Sequence, residues 1–155
     1  MQKDELIAML RRSVQEFNSW RERNPDEEID LQGANLHRAE LEGADLSGAN
    51  LHRAELEGAD LQGAYLYGAN LREASLLEAN LSEAYLYRTN LSGANLQGAV
   101  ICRANLRGAN LYEANLERAN LSGANLYEVN LCEAKMDPAT WQMVVERLRA
   151  TVIIV

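Results

Sequence analysis

The sequence is poor in several residue types on which small proteins often depend. Its 155 residues include two cysteines, two prolines and one phenylalanine. Two cysteines are too few for a disulfide framework, and no apolar run approaches the ~18 residues of a membrane-spanning helix. Basic residues are also scarce, since 15 Lys and Arg stand against 23 Asp and Glu and leave a net charge of −8. We therefore expect a cytoplasmic chain with no membrane partner and no direct nucleic-acid partner.

The abundant feature is a five-residue repeat. Counting every fifth residue from Leu31 to Met136 gives 22 positions, of which 20 are Leu. Two residues before these positions, 19 of 22 residues are Ala, and all ten glycines lie two residues after a Leu-type position. The repeating unit is therefore Ala, usually Asn or Asp, Leu, a variable residue, and often Gly.

The period of five excludes a helical repeat. Five helical residues turn by about 500°, so a Leu stripe would drift by about 140° per unit around the surface. Within one unit, Ala and Leu lie two residues apart, as they do on one face of a strand. This alternation breaks once per unit, where Asn, Asp and Gly favour a corner. The pattern predicts a polygonal coil with Ala and Leu inside and successive coils about 4.8 Å apart.

The repeats resemble those of the pentapeptide-repeat proteins. The segments GANLQGA, GADLSGANL and RANLSGANL match that family's pattern of a small residue, Asp or Asn, Leu or Phe, a polar residue and often Gly. The segment FNSWRERNP at 17–25 is similar to one that precedes the repeats in cyanobacterial members. The resemblance implies an all-β solenoid, a right-handed quadrilateral β-helix with four units per coil. At four per coil, the 22 units over 29–138 would make about 5.5 coils.

The open ends of a solenoid need caps. At the start, within 1–28, the segment 3–21 has the apolar spacing of an amphipathic helix that would cover the first coil. The residues at this helical spacing are Leu6, Leu10, Val14 and Phe17.

A second helix is predicted after the repeats, within 139–155. Asp137 and Pro138 are a helix-start signal. The residues expected on its packed face are Trp141, Val144, Val145 and Leu148. The tail TVIIV at 151–155 is β-branched and apolar, and it is predicted to pack on this cap or to pair with a second copy. A homodimer through the C-terminal helix and tail follows as an expectation.

Four units per coil place outward residues in columns 20 apart, and five of the six tyrosines fall on one side. We define the Tyr face as Tyr65, Tyr67, Tyr85, Tyr87, Arg107 and Tyr127. One interpretation is a stacking ladder that stabilises the shaft. The other is a protein-contact patch, because Tyr and Arg are enriched in interface hot spots. Both can hold together. A separate column, from Asp30 to Asn130, is predicted to bond the backbone at one corner.

The acidic residues concentrate near the first coils. We define the acidic collar as Glu40, Glu42, Glu55, Glu57 and Asp60. Some family members resemble double-stranded DNA in size and charge and bind DNA gyrase. That mimicry needs an acidic stripe along a long rod, whereas these acids span only two coils. A DNA-mimic modulator of a DNA-binding protein such as DNA gyrase is therefore the alternative interpretation.

No catalytic, cofactor or metal site is expected. An interior filled with Leu and Ala leaves no cleft for convergent groups. Cys102 and Cys132 would lie on opposite faces, and His37 and His52 on adjacent faces, so neither pair converges on a metal or forms a disulfide. The sequence favours a non-enzymatic scaffold or protein–protein interaction module, with the Tyr face or C-terminal tail contacting a protein partner that it does not name. A purely structural solenoid is a further alternative.

Overall fold

The computed structural model describes residues 1–151. The predicted tail therefore lies outside the described residues, except for Thr151. Its helices are α1 (Lys3–Arg12), α2 (Val14–Arg23) and α3 (Pro138–Thr151). Between α2 and α3, single-residue parallel β-bridges join residues 20 apart, from Asp30 with Asn50 to Asn115 with Lys135. A spacing of 20 residues is four five-residue units, so each coil has four units. Over residues 1–151, no helix is long and apolar enough to cross a membrane.

Each unit forms one tight turn. The carbonyl of Leu31 accepts a hydrogen bond from the Ala34 N–H at 2.9 Å, and Gly33 between them has a φ of 63°. A turn with positive φ at its third residue favours glycine. In the described chain, ten glycines and eleven Arg or Glu residues adopt this conformation. The charged residues accept a left-handed backbone that costs about 1–2 kcal/mol each, and the folded coils must outweigh that cost.

The Leu and Ala side chains of the units form one continuous core. Leu91, in the middle of the shaft, is 0% exposed, and the other Leu side chains from 31 to 126 are equally enclosed. The repeat departs from Ala at Thr89, which is also buried. Its hydroxyl donates to the Leu66 carbonyl at 2.7 Å, so burial leaves no polar group unsatisfied.

The Asn column forms the predicted corner ladder. Asn50 Nδ2 donates to Asp30 Oδ1 at 3.0 Å, and Asn130 Nδ2 donates to Asn110 Oδ1 at 3.0 Å. Each oxygen also accepts a backbone N–H two residues further along, as Asn50 Oδ1 does from His52 at 3.3 Å. The ladder thus holds corners within a coil and between coils, which confirms its structural role.

The N-terminal cap contains two helices, so the prediction of one helix over 3–21 is wrong. Ser13 has extended backbone angles, φ −165° and ψ 116°, and ends α1. Its hydroxyl accepts a hydrogen bond from the Glu16 N–H at 3.2 Å, which makes Ser13 the N-cap of α2. The break lets both helices lie across the square end of the coil. Leu6, Leu10 and Phe17 are buried there, as predicted.

Side chains of the N-terminal helices also bond part of the edge of the first coil. In later coils, backbone carbonyls accept from the preceding coil, as His52 does from Gly33 at 2.8 Å. The first coil has no preceding coil, and side-chain donors of α1 and α2 bond several of its carbonyls instead, which partly protects an edge that could otherwise pair with another chain. The pairs are Lys3 to Gln32 (3.1 Å), Arg11 to Asn35 (3.1 Å), Asn18 to Gly43 (2.9 Å) and Arg21 to Ser47 (3.0 Å).

Asp137 joins the last coils to α3. Its Oδ1 accepts from the backbone N–H groups of Ala139 and Thr140, both at 3.0 Å, and its Oδ2 accepts from the Arg118 N–H. The backbone hydrogen bonds from Arg118 and Thr140 lower the pKa of Asp137 to about 2. The carboxylate therefore caps the helix and ties its start to the coil below.

The packed face of α3 differs from the prediction. Val144 is fully buried, but Trp141 is 54% exposed and Leu148 is 39% exposed. The reason is the anchoring of Thr140, whose hydroxyl donates to the Ala119 carbonyl at 3.3 Å and fixes the rotation of the helix. Met143 accordingly lies toward the coil and contacts Ser122 through its sulfur at 3.7 Å.

Candidate functional site

The tyrosines of the Tyr face form two stacks along the shaft. The rings of Tyr65 and Tyr85 have centroids 4.9 Å apart and planes 3° apart. The rings of Tyr67 and Tyr87 have centroids 5.3 Å apart and planes 15° apart. Each pair joins residues at the same position of successive coils, so the coil spacing sets the ring spacing. The predicted stacking ladder is confirmed for both pairs.

A guanidinium group continues the second stack. Arg107 lies 6.0 Å from the ring centroid of Tyr87 and 5.2 Å from that of Tyr127. Arg88 lies 5.1 Å from the Tyr87 centroid as well. Cation–π contacts at exposed positions contribute about 0.5–1 kcal/mol each. The Tyr face is therefore one ordered array of rings and guanidinium groups.

The stacking determines what the Tyr face offers to a partner. Stacked rings use their faces on each other and direct their edges and hydroxyls outward. Tyr65 is 46% exposed and Tyr67 is 51% exposed, so about half of each side chain remains accessible. Nucleic-acid bases bind aromatic side chains through open ring faces, which the interior of the stacks does not present. The surface suits a partner that makes hydrogen bonds and edge contacts, as proteins do.

The acidic collar lies on neighbouring columns at the N-terminal end. Glu40 pairs with Asp60 across coils, and Glu55 lies in the column that includes Asn35. Arg11 and Arg12 of α1 line a cleft of about 220 Å³ together with Glu40 and Glu42. The basic end of α1 therefore partly offsets the charge of the collar. The repeat pattern could not show this, because it depends on where the helix docks.

Glu57 is the residue of the acidic collar whose pKa is shifted. Burial raises the pKa of Glu57. Hydrogen bonds from Ser75 and from its own backbone, together with the nearby His37, have the opposite effect and outweigh burial, so the pKa lies below its usual range. His37 Nδ1 lies 3.8 Å from Glu57 Oε2, while His52 Nδ1 lies 2.9 Å from the Arg72 carbonyl. The two histidines thus have separate partners.

The cysteines and other ligating groups do not converge either. Cys102 and Cys132 are both free. Within residues 1–151, no group of three or more His, Cys, Asp or Glu side chains is arranged to hold a metal ion.

The structure adds a cleft that the sequence did not reveal. It has a volume of about 350 Å³ and lies where α2 meets the Tyr face. The repeat places Asp45 directly below Tyr65 in one column. The contribution of α2 depends on its docking and has no signal in the repeat. The lining residues are Asn18, Glu22, Asp45, Ser47 and Tyr65.

Together, the 20-residue coils, the turn in each unit and the surface ladders define a repeat solenoid with side-chain arrays on its outside. A family model described as pentapeptide repeats matches the chain over residues 29–66, 64–101 and 103–137. The chain belongs to the pentapeptide-repeat family.

Several solved structures are similar to this chain. HetL from Nostoc sp. strain PCC 7120, a pentapeptide repeat protein involved in heterocyst differentiation regulation, is 38% identical; the match covers 71% of this chain and 62% of HetL, with a TM-score of 0.37. Rfr23 from Cyanothece 51142 is 36% identical, with 71% and 85% covered and a TM-score of 0.46. A pentapeptide repeat protein from the Arabidopsis thaliana thylakoid lumen is 30% identical, with 69% and 74% covered and a TM-score of 0.46. Among curated proteins, none matches the chain significantly.

Proposed function

We propose that this protein is a non-enzymatic scaffold that binds a partner protein through the Tyr face. The observation that carries the proposal is the ordered array of half-exposed tyrosines, with Arg107 between Tyr87 and Tyr127. Tyr and Arg dominate interface hot spots. Because stacking already holds the rings, binding would cost little side-chain entropy. The cytoplasmic location predicted from the sequence stays a prediction.

The proposal includes an architecture that family membership implies. We infer a right-handed quadrilateral β-helix of about 5.5 coils over residues 29–138. Segment 1–28 acts as the N-terminal cap and segment 139–155 as the C-terminal cap. The shaft then serves as a rigid support that keeps the two tyrosine stacks in register.

The double variant Tyr67→Ser/Tyr87→Ser tests the contact surface. Loss of two hot-spot rings should weaken partner binding by roughly 30-fold or more. The measurement is a pull-down from native lysate, with captured proteins quantified against the unmodified chain. Circular dichroism should show that the variant remains folded.

Tyr112→Ser is the matched control, because Tyr112 is the one tyrosine outside the Tyr face and is 40% exposed. It should capture the same partner as the unmodified chain. If the double variant and the control capture the same proteins equally well, the Tyr face is only a stacking ladder. That outcome would favour the purely structural solenoid.

The DNA-mimic alternative, with DNA gyrase as an example of its target, has weaker support. It requires continuous negative charge along the shaft. The acidic collar is confined to the N-terminal coils, and Arg11 and Arg12 lie beside two of its members. The Tyr face occupies a further part of the circumference.

A second interaction, between two copies of the chain, is supported at the opposite end. In the described chain, several backbone N–H groups of the last coils have no hydrogen-bond acceptor, unlike their counterparts in earlier coils. Trp141 on α3 is exposed beside this edge, and Leu131 is only half-buried. We propose a homodimer through α3 and this edge. The unpaired groups belong to Leu121, Gly123, Leu126, Glu128, Leu131 and Glu133.

Light scattering tests the homodimer. The unmodified chain should have twice the monomer mass, and Trp141→Ser should shift it toward the monomer because an exposed aromatic is removed from the interface. Truncation of residues 151–155 should also shift the measured mass toward the monomer if the tail contributes to the interface. A monomer for the unmodified chain at high micromolar concentration would refute the homodimer.

A further inference from the structure

The cleft beside Tyr65 contains a ring face that the stack leaves open. In the column Asp45, Tyr65, Tyr85, Asn105, successive members are bridged between adjacent coils. Tyr85 covers one face of the Tyr65 ring at 4.9 Å. The opposite face is directed toward the coil of Asp45 and borders the cleft of about 350 Å³. The face of an aromatic ring carries negative electrostatic potential and attracts cations.

Two carboxylates stand beside this ring face. Asp45 is half-buried, and its Oδ1 accepts a hydrogen bond from the Ser47 N–H at 3.1 Å, which fixes its orientation. Glu22 is exposed, and within the described chain its carboxylate has no hydrogen bond or ion pair. The cleft therefore combines an open π face with two carboxylates that form no ion pair within the described chain.

The cleft is held rigidly by α2. Asn18 Nδ2 donates to the Gly43 carbonyl at 2.9 Å, and Asn18 Oδ1 accepts from the Asp45 N–H at 2.8 Å. Arg21 donates to the Ser47 carbonyl at 3.0 Å, so its guanidinium is engaged and lines a different cleft. These bonds fix the helix that carries Glu22 against the coil that carries Asp45. The groups are thus arranged before any ligand binds.

Elsewhere on the Tyr face, guanidinium groups of the chain itself lie against tyrosine rings. Arg107 lies against Tyr87 and Tyr127, and Arg88 also lies over Tyr87. On the far side of the Tyr65–Tyr85 stack, the carboxylate of Glu83 is already paired with Arg103 at 2.5 Å. The chain thus places guanidinium groups against Tyr87 and Tyr127, whereas in the part of the chain that the structure describes none lies over the Tyr65 ring.

We propose that this cleft binds an arginine side chain of the partner protein. The proposal rests on the scaffold function described above and assigns the chemistry of one contact. A guanidinium group is planar, so it can stack on the Tyr65 ring while its N–H groups reach the carboxylates of Asp45 and Glu22. Lysine would gain the charge attraction but neither the stacking nor the forked geometry.

Titration with N-acetyl-argininamide, followed by two-dimensional NMR of the isotope-labelled full chain, tests the site. The Tyr65 ring signals and the Asp45 and Ser47 amide signals should shift saturably, with millimolar affinity. N-acetyl-citrullinamide, the neutral isostere of the probe, should cause no saturable shift. Equal binding of both probes, or shifts confined to the acidic collar, would overturn the proposal.

Variants of the residues that line the cleft show which groups contribute to the affinity for the probe. Tyr65→Leu removes the π face and should weaken binding roughly two- to fivefold. Asp45→Asn keeps the acceptor for the Ser47 N–H, as Asn50 does for His52, and combined with Glu22→Gln it should abolish saturation. Asp60→Asn is the matched control because Asp60 Oδ1 accepts from Gln62 at 3.1 Å in the same way, outside the cleft. Unchanged affinity in the Glu22→Gln/Asp45→Asn variant would refute the site.

The probe needs no partner protein, so the two proposals fail separately. Lack of argininamide binding would remove the arginine site and leave the Tyr67 and Tyr87 contact surface untouched. Argininamide binding together with an unaffected pull-down in the Tyr67→Ser/Tyr87→Ser variant would keep the site and refute the role of those two rings.

Discussion

Replacing Leu91 with alanine should lower the free energy of unfolding by about 2–5 kcal/mol. Leu91 is 0% exposed and lies in the middle of the shaft, with coils on both sides. Truncation removes buried apolar surface and leaves a cavity that neighbouring units cannot fill, because backbone bonds hold their spacing. Urea unfolding followed by circular dichroism measures this loss of free energy from the shift of the unfolding midpoint.

Leu131→Ala is the matched control for this prediction. Leu131 lies in the same column, two coils further along, but it is only half-buried next to the open C-terminal edge. Less buried surface is lost and no enclosed cavity forms, so the expected loss is below about 1.5 kcal/mol. Equal losses at the two positions would show that burial between coils does not control the stability of the shaft.

Phe17→Ala should be at least as damaging, with an expected loss of about 3–5 kcal/mol. Phe17 is 0% exposed and is the largest fully buried side chain of α2. Its removal weakens the docking of α2 and exposes core Leu residues of that coil, such as Leu31. Because a solenoid depends on contacts between neighbouring coils, the damage should begin at this end. Hydrogen exchange should show the greatest loss of amide protection near residues 31–50.

Gln15→Ala provides the control for Phe17→Ala. Gln15 is exposed on the same helix, so its truncation should change the free energy of unfolding by no more than about 0.5 kcal/mol. If Phe17→Ala unfolds with the same midpoint and the same exchange pattern as the unmodified chain, then α2 does not stabilise the first coil.

Most of the shaft could be predicted because its geometry is periodic. The Leu and Ala spacing identified the core, and the 20-residue coil implied by the resemblance identified the columns. The stacks of Tyr65 with Tyr85 and of Tyr67 with Tyr87 follow from that coil alone. Periodicity works here because every unit has the same neighbours, so one local rule determines both burial and lateral contacts.

The caps could not be predicted as well, because docking determines their details. The break at Ser13 has a local signal, since a serine three residues before Glu16 is a typical N-cap pattern. The apolar spacing across Ser13 hid that signal. The rotation of α3 depends on the contact between Thr140 and Ala119, and the cleft at Glu22 depends on the pairing of Asn18 with the first coil. No local pattern specifies such contacts.

The bonds from Lys3, Arg11, Asn18 and Arg21 to the first coil make the two ends of the molecule unequal. A stack of β-coils that was open at both ends could polymerise without limit, like an amyloid protofilament. Here two helices cover the first coil, so in the proposed homodimer two-fold pairing at the other end would consume the edge to which a further copy could add. Self-association would then stop at two molecules. In the proposed homodimer, the N-terminal helices would therefore prevent growth beyond the pair.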